Sequence, residues 1–87
     1  MSSMHLVSGS KGLRTLSSLR PGARGTVHHV QARTRDRIDR LVALGVTAGA
    51  PVTVLQTFPG VVFLCDQTEL AVERAVADTI LVKPAEE

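Results

Sequence analysis

"RLVALGVTAGAPVTV", Arg40 to Val54, is the stretch whose reading decides the fold. It opens with the apolar spacing of an amphipathic helix and closes with the alternation of a β-strand. Between the two stand Gly45 and the small residues Ala48, Gly49 and Ala50. A glycine just past a periodic run lets a helix stop in the left-handed conformation, where a Cβ would clash. The stretch therefore reads as a helix ended by Gly45, a reversal over small residues, and a strand from Pro51. Leu41 and Leu44 are expected to plug one end of whatever the strands build.

Upstream, Ile38, Leu41, Val42 and Gly45 form one stripe at i, i+3, i+4, i+7. Thr34 or Asp36 can cap that helix. Arg35/Asp39 and Asp36/Arg40 are i,i+4 pairs on its wet side, each worth roughly a few tenths of a kcal/mol. Before the helix, "TVHHVQA" predicts a strand from Gly25 to about Ala32. Val27 and Val30 break strict alternation, so a bulge or a mixed face is expected there. "RPGARG", Arg20 to Gly25, is a turn, with Pro21-Gly22 at the centre of a type II geometry. Leu13, Leu16 and Leu19, three apart, suit one helical turn laid on the core. Residues 1–12, rich in Ser and Gly, read as a loose tail in which His5 is a solvated residue.

Downstream the pattern is β. "PVTVLQTF" puts Val52 and Val54 on one face and Thr53, Leu55 and Thr57 on the other. Pro59-Gly60 turns into "VVFLC", Asp66-Gln67 turns into "TELAVE", and "ERAVADT" makes a short helical step carrying Ala75 and Ala77. "TILVK", Thr79 to Lys83, is the last strand, ended by Pro84, and residues 85–87 form an acidic tail. The sum is a mainly β domain over residues 13–84: about five short strands, with one helix between the first two. Short strands joined by Pro/Gly turns favour a small closed barrel, because closure removes exposed edges.

Composition agrees with this reading. At 87 residues the chain is one small domain, 44% apolar, with Phe58 and Phe63 its only aromatics, so aliphatic side chains must fill the core. A single cysteine, Cys65, excludes an intrachain disulfide framework and suits a reducing compartment. No apolar signal segment opens the chain. Leu41 to Cys65 carries no formal charge over 25 residues, but Pro51, Pro59, three glycines and an alternating pattern set a bilayer-spanning reading aside. Charge is uneven. Residues 1–40 hold eight Lys/Arg against two Asp, and residues 41–87 hold two against six Asp/Glu. Such polarity can steer toward an anionic partner unless folding mixes the halves.

Catalytic signatures are missing from the sequence: there is no nucleophile motif, no phosphate loop and no dinucleotide fingerprint. The expectation is a non-enzyme without a catalytic residue or cofactor. Metal binding is weighed and set aside. His28 and His29 are adjacent, and neighbours on a regular strand point to opposite faces. Cys65-Asp66 has the same defect, and no C-x₂-C or H-x₃-H spacing occurs. Nucleic acid is a weaker alternative: Lys11 and the arginines supply charge, but stacking aromatics are lacking.

Three pieces, in order, resemble the FeoA family of ferrous iron transport proteins, small SH3-like barrels. These are "LSSLRPGARGTVHHV", "RLVALGVTAGAPVTV" and "LAVERAVADTILV", together covering roughly Leu16 to Val82. The chain departs from the family pattern in the tight connection at Pro59-Gly60 and in placing Glu73 ahead of Arg74. The resemblance implies an SH3-like barrel in the cytoplasm, at the inner membrane face through its partner. It implies a non-catalytic role in iron homeostasis by protein–protein interaction, docking on the cytosolic part of the membrane GTPase permease FeoB, with no small-molecule substrate. The partner-binding candidates are Arg35, Arg37 and Arg40 on the wet face of the helix, for which a plain solvated face is the competing reading. Transition metal ion binding is a family-level expectation, although no residue here is assigned to a metal. The alternatives are a metal-sensing or regulatory module like the C-terminal barrel of iron-dependent repressors, for whose DNA-binding helices the chain leaves no room, or a nucleic-acid-binding barrel. Unpaired strand edges also leave a homodimer open.

Overall fold

The computed structural model describes residues 12–85. Residues 1–11 of the expected tail over 1–12, with His5, and residues 86–87 of the acidic tail over 85–87 lie outside them. Six strands form one antiparallel sheet: β1 (Arg14–Thr15), β2 (Arg24–Val30), β3 (Pro51–Gln56), β4 (Val61–Cys65), β5 (Thr68–Val72) and β6 (Ile80–Pro84), in the spatial order β1-β6-β2-β3-β4-β5. Helix α1 (Arg35–Ala43) lies between β2 and β3, and the one-turn helix α2 (Arg74–Ala77) lies between β5 and β6.

Three expectations need correction. The sheet has six strands, so α1 follows the second strand and not the first. The added strand is the two-residue β1, whose Arg14 and Thr15 pair with Val82 and Leu81 along the free side of β6. Only Leu16–Ser18 of the expected helical turn is helical, a 3₁₀ turn that buries Leu16. The expected closed barrel is likewise not closed: β1 and β5 are the two ends of the strand order and do not pair with each other. A two-residue strand offers too little ladder to complete the ring.

The core follows from alternation. Val52 and Val54 of β3, Val61, Phe63 and Cys65 of β4, and Ile80 and Val82 of β6 are all buried. Leu16, Leu19, Leu41, Val46 and Ala77 cover this layer from the connecting segments. β2 obtains its core contacts differently. Val27 pairs with Val82 and His29 with Leu81, so His28 is the extra residue of a bulge. Strict alternation from Val27 would carry His29 inward. The bulge shifts the parity, leaving His29 beside Leu81 and bringing Val30 opposite buried Ile80. That is why two valines three apart both serve the core.

Gly25 is the point of closest approach in the sheet. It pairs with Val52 on one side and Pro84 on the other. A Cβ there would stand 2.5 Å from the Lys83 carbonyl oxygen and 2.7 Å from Val82 Cγ1, distances that real Cβ atoms do not show.

Helix α1 begins where Thr34 Oγ1 accepts a hydrogen bond from the Arg37 N–H at 3.3 Å. It ends as expected, with Gly45 at φ +94°. The N–H of Gly45 donates to the Val42 carbonyl and that of Val46 to the Leu41 carbonyl, both at 2.9 Å. These two bonds make a Schellman motif, and its flanking residues Leu41 and Val46 are both buried in the core. Leu44 does not plug the barrel: it is 48% exposed, and Val46 takes the inward place. The chain then reverses through a turn closed by Ala50 N–H on the Thr47 carbonyl, and Ala50 in turn accepts from the Val27 N–H.

Cys65 ties this corner to β4. Its buried Sγ–H donates to the Gly45 carbonyl oxygen at 3.4 Å. Burial, and then the neighbouring Asp66 carboxylate, push the thiol pKa above its ordinary 9.0.

Three outcomes follow for stability. Gly25→Ala overpacks the β2–β6 contact and should cost about 1–3 kcal/mol in urea unfolding. Gly45→Ala meets no neighbour, and should cost about 1–2 kcal/mol through left-handed strain alone; Gly45→Val should cost at least as much, and a parental unfolding temperature in that variant would show that the helix does not end in this way. Finally, the unfolded thiol ionises at lower pH than the folded one. Its stabilising contribution is complete below pH 9.0 and is lost as pH rises toward the folded value. Urea midpoints on either side of that pH should fall more steeply in the parent than in Cys65→Ala.

Candidate functional site

The sequence nominates three arginines, and the helix separates them. Arg37 and Arg40 are three positions apart and lie on neighbouring rows of α1. Arg35, two positions from Arg37, leaves the helix on another side. Arg37 lines three clefts. The first, about 360 Å³, runs from the start of α1 toward Ala75 and Thr79 and includes Arg33. The second, about 290 Å³, lies between α1 and the β5–α2 junction. The third, about 190 Å³, is a polar notch shared with Thr34, Asp36 and Arg40. Arg35 lines none of these three clefts.

The second cleft is the one with mixed chemistry. Leu41, Leu44, Val72 and Val76 give it an apolar lining, and Arg37, Arg40 and Glu73 supply charge around them. It exists because the helix stops where it does: Leu41 turns into the core while Leu44, just before Gly45, stays half exposed. Two cations beside an apolar strip suit a protein segment that presents apolar side chains flanked by carboxylates.

The α2 side of this cleft is pinned at both of its ends. Arg74 at the start of α2 donates from its guanidinium to the Thr57 carbonyl oxygen beyond β3. Ser17 of the 3₁₀ turn donates to the carboxylate of Asp78 at the C-cap of α2, and Thr15 Oγ1 lies 3.2 Å from Ser17 Oγ. This Ser–Asp contact is a structural tie, with no imidazole in it to act as a base.

Two sequence arguments about other residues meet different outcomes. Cys65 is a buried core thiol, as expected. The argument that His28 and His29 must point apart fails, because the bulge suspends alternation: their Nδ1 atoms are 2.8 Å apart. Among the described residues no group of three or more His, Cys, Asp or Glu side chains is placed to hold a metal ion, and no helix is long and apolar enough to cross a membrane.

The sequence reading missed Arg33, Val72 and Val76. Val72 and Val76 sit four apart across a strand–helix boundary, so neither a period of two nor one of 3.6 links them. Phe58 is 79% exposed between β3 and β4, a placement the sequence did not signal because its segment reads as a continuing strand.

Comparison with known proteins places this geometry. The FeoA domain model matches residues 14–84. Among solved structures, the FeoA protein from Chlorobium tepidum is 32% identical, with a TM-score of 0.75 over 84% of this chain and 71% of that one. Stenotrophomonas maltophilia FeoA, a procaryotic SH3 domain protein solved in complex with zinc, is 23% identical, with a TM-score of 0.71 over 79% of this chain and 88% of that one. A manganese-dependent transcriptional repressor shares the fold at 20% identity and a TM-score of 0.78, with 84% of this chain covering 42% of the repressor. The search of curated proteins finds no match. With a family model spanning nearly all of the described residues, the chain belongs to the FeoA domain family, which is implicated in ferrous iron transport.

Proposed function

We propose that this chain is a non-catalytic accessory protein of ferrous iron uptake that works in the cytoplasm by docking on the cytosolic part of the FeoB GTPase permease. Family membership supports the pathway, and the cleft between α1 and the β5–α2 junction supports the mode. The observation that carries the mode is the pairing of Arg37 and Arg40 with the apolar strip of Leu41, Leu44, Val72 and Val76. Leu44 is exposed at this strip, Val72 and Val76 are half-buried and Leu41 is buried beneath them, with both arginines exposed alongside, an arrangement that a partner can cover. The apolar residues would supply affinity, and the arginines would set encounter rate and orientation. Arg35, on a different side of the helix, would play at most a peripheral part.

The test is a pull-down with the purified cytosolic domain of the permease. Arg37→Glu with Arg40→Glu should reduce capture at least about tenfold, the loss of 1.4 kcal/mol or more, with an unchanged circular dichroism spectrum. Leu44→Asp should do the same, and Arg35→Glu should bind nearly as well as the parent. Full capture by the double reversal and by Leu44→Asp would remove this face from the interface.

A further inference from the structure

The bulge in β2 has a second effect besides restoring Val30 to the core. It sets two consecutive imidazoles against each other. His28 Nδ1 and His29 Nδ1 are 2.8 Å apart, with ring centroids separated by 5.0 Å and ring planes inclined by 66°. His28 is exposed and His29 half-buried, so neither belongs to the core. A regular strand could not make this contact, because its neighbours diverge.

Two ring nitrogens this close must share a cation. In the neutral pair the shared cation is a proton, carried on one Nδ1 and accepted by the lone pair of the other. A metal ion can take its place, with both Nδ1 lone pairs as ligands and the displaced proton taken up on the free Nε2 of the same ring, so that both imidazoles stay neutral. At a metal–nitrogen length of about 2.0–2.1 Å, two ligands at a right angle stand roughly 2.9 Å apart, and two at the tetrahedral angle roughly 3.3–3.4 Å. The observed separation is close to the right-angled bite. Small rotations of two side chains outside the core would open it to the tetrahedral one.

We propose that His28 and His29 form a two-imidazole chelate for a borderline first-row divalent cation, the class of Fe²⁺, Co²⁺, Ni²⁺ and Zn²⁺. Imidazole suits this class, whereas Mg²⁺ and Ca²⁺ prefer oxygen donors. No third protein ligand joins the pair among the described residues, so water completes the shell and the site stays open. Such a site exchanges its ion more readily than a closed structural one. It lies on β2, whereas the docking cleft lies between α1, β5 and α2, and the two readings stand independently.

The full chain is titrated with Ni²⁺, and separately with Mg²⁺, by calorimetry, while the histidine ring protons are followed by NMR. The expected result is one Ni²⁺ per chain, no Mg²⁺, and joint perturbation of the His28 and His29 ring signals. His28→Gln and His29→Gln should each weaken Ni²⁺ binding at least about tenfold, with unfolding temperatures close to the parent's. Cys65→Ala, and Arg37→Glu with Arg40→Glu, should leave the titration unchanged, which separates this site from the docking face. Absence of Ni²⁺ binding in the parent would overturn the proposal. So would binding that survives either glutamine variant, since a chelate needs both rings.

Discussion

The structure depends on a helix that must stop within one residue. Leu41 has to reach the core, and Val46, only five residues later, has to reach it too, from a chain already leaving for the sheet. A continued helix would carry Val46 round to the side of Val42, which is half exposed. Gly45 avoids this by taking φ +94°, so that the Leu41 and Val42 carbonyls are satisfied by the N–H groups of Val46 and Gly45. The carbonyl of Gly45 then receives the Cys65 thiol from β4. Helix, reversal and sheet therefore meet at one glycine, and the position of Leu44 on the outer face follows from the same stop.

Much of this was legible where one period held over several residues. The alternation of Val52 and Val54, of Val61, Phe63 and Cys65, and of Ile80 and Val82 located three strands and the core they face. The stripe through Ile38 and Leu41 with a following glycine located α1 and its end. Legibility failed where a rule of local periodicity had nothing to act on. β1 is two residues long and exists only because β6 has a free side. Closure is a property of how two edge strands meet, and no local pattern encodes it. The histidine pair was misread for the opposite reason: alternation was applied at the one place in β2 where Val27 and Val30 already showed that it breaks. The docking cleft was half legible, since α1 supplied Arg37 and Arg40, but Val72 and Val76 come from elements of different period.

The charge imbalance between the two halves of the chain takes a definite form in the fold. Arg37 and Arg40, from the basic half, line the same cleft as Glu73, from the acidic half. The halves are thus interleaved here and do not form opposed poles. A mixed rim of this kind favours one orientation of an incoming partner over its reverse, because a carboxylate meets attraction on the helix side and repulsion on the α2 side.

The single extra residue in β2 acts as a phase shift in a two-beat pattern. Upstream of it odd positions face the core, and downstream even positions do. Straightening the bulge with the sequence unchanged would throw a histidine into hydrocarbon and a valine into water, so the insertion is held in place by the packing of Val27 and Val30 whatever the imidazoles do. Their mutual approach is accordingly set during folding, before any ion arrives, and an incoming cation would find its two donors already gathered.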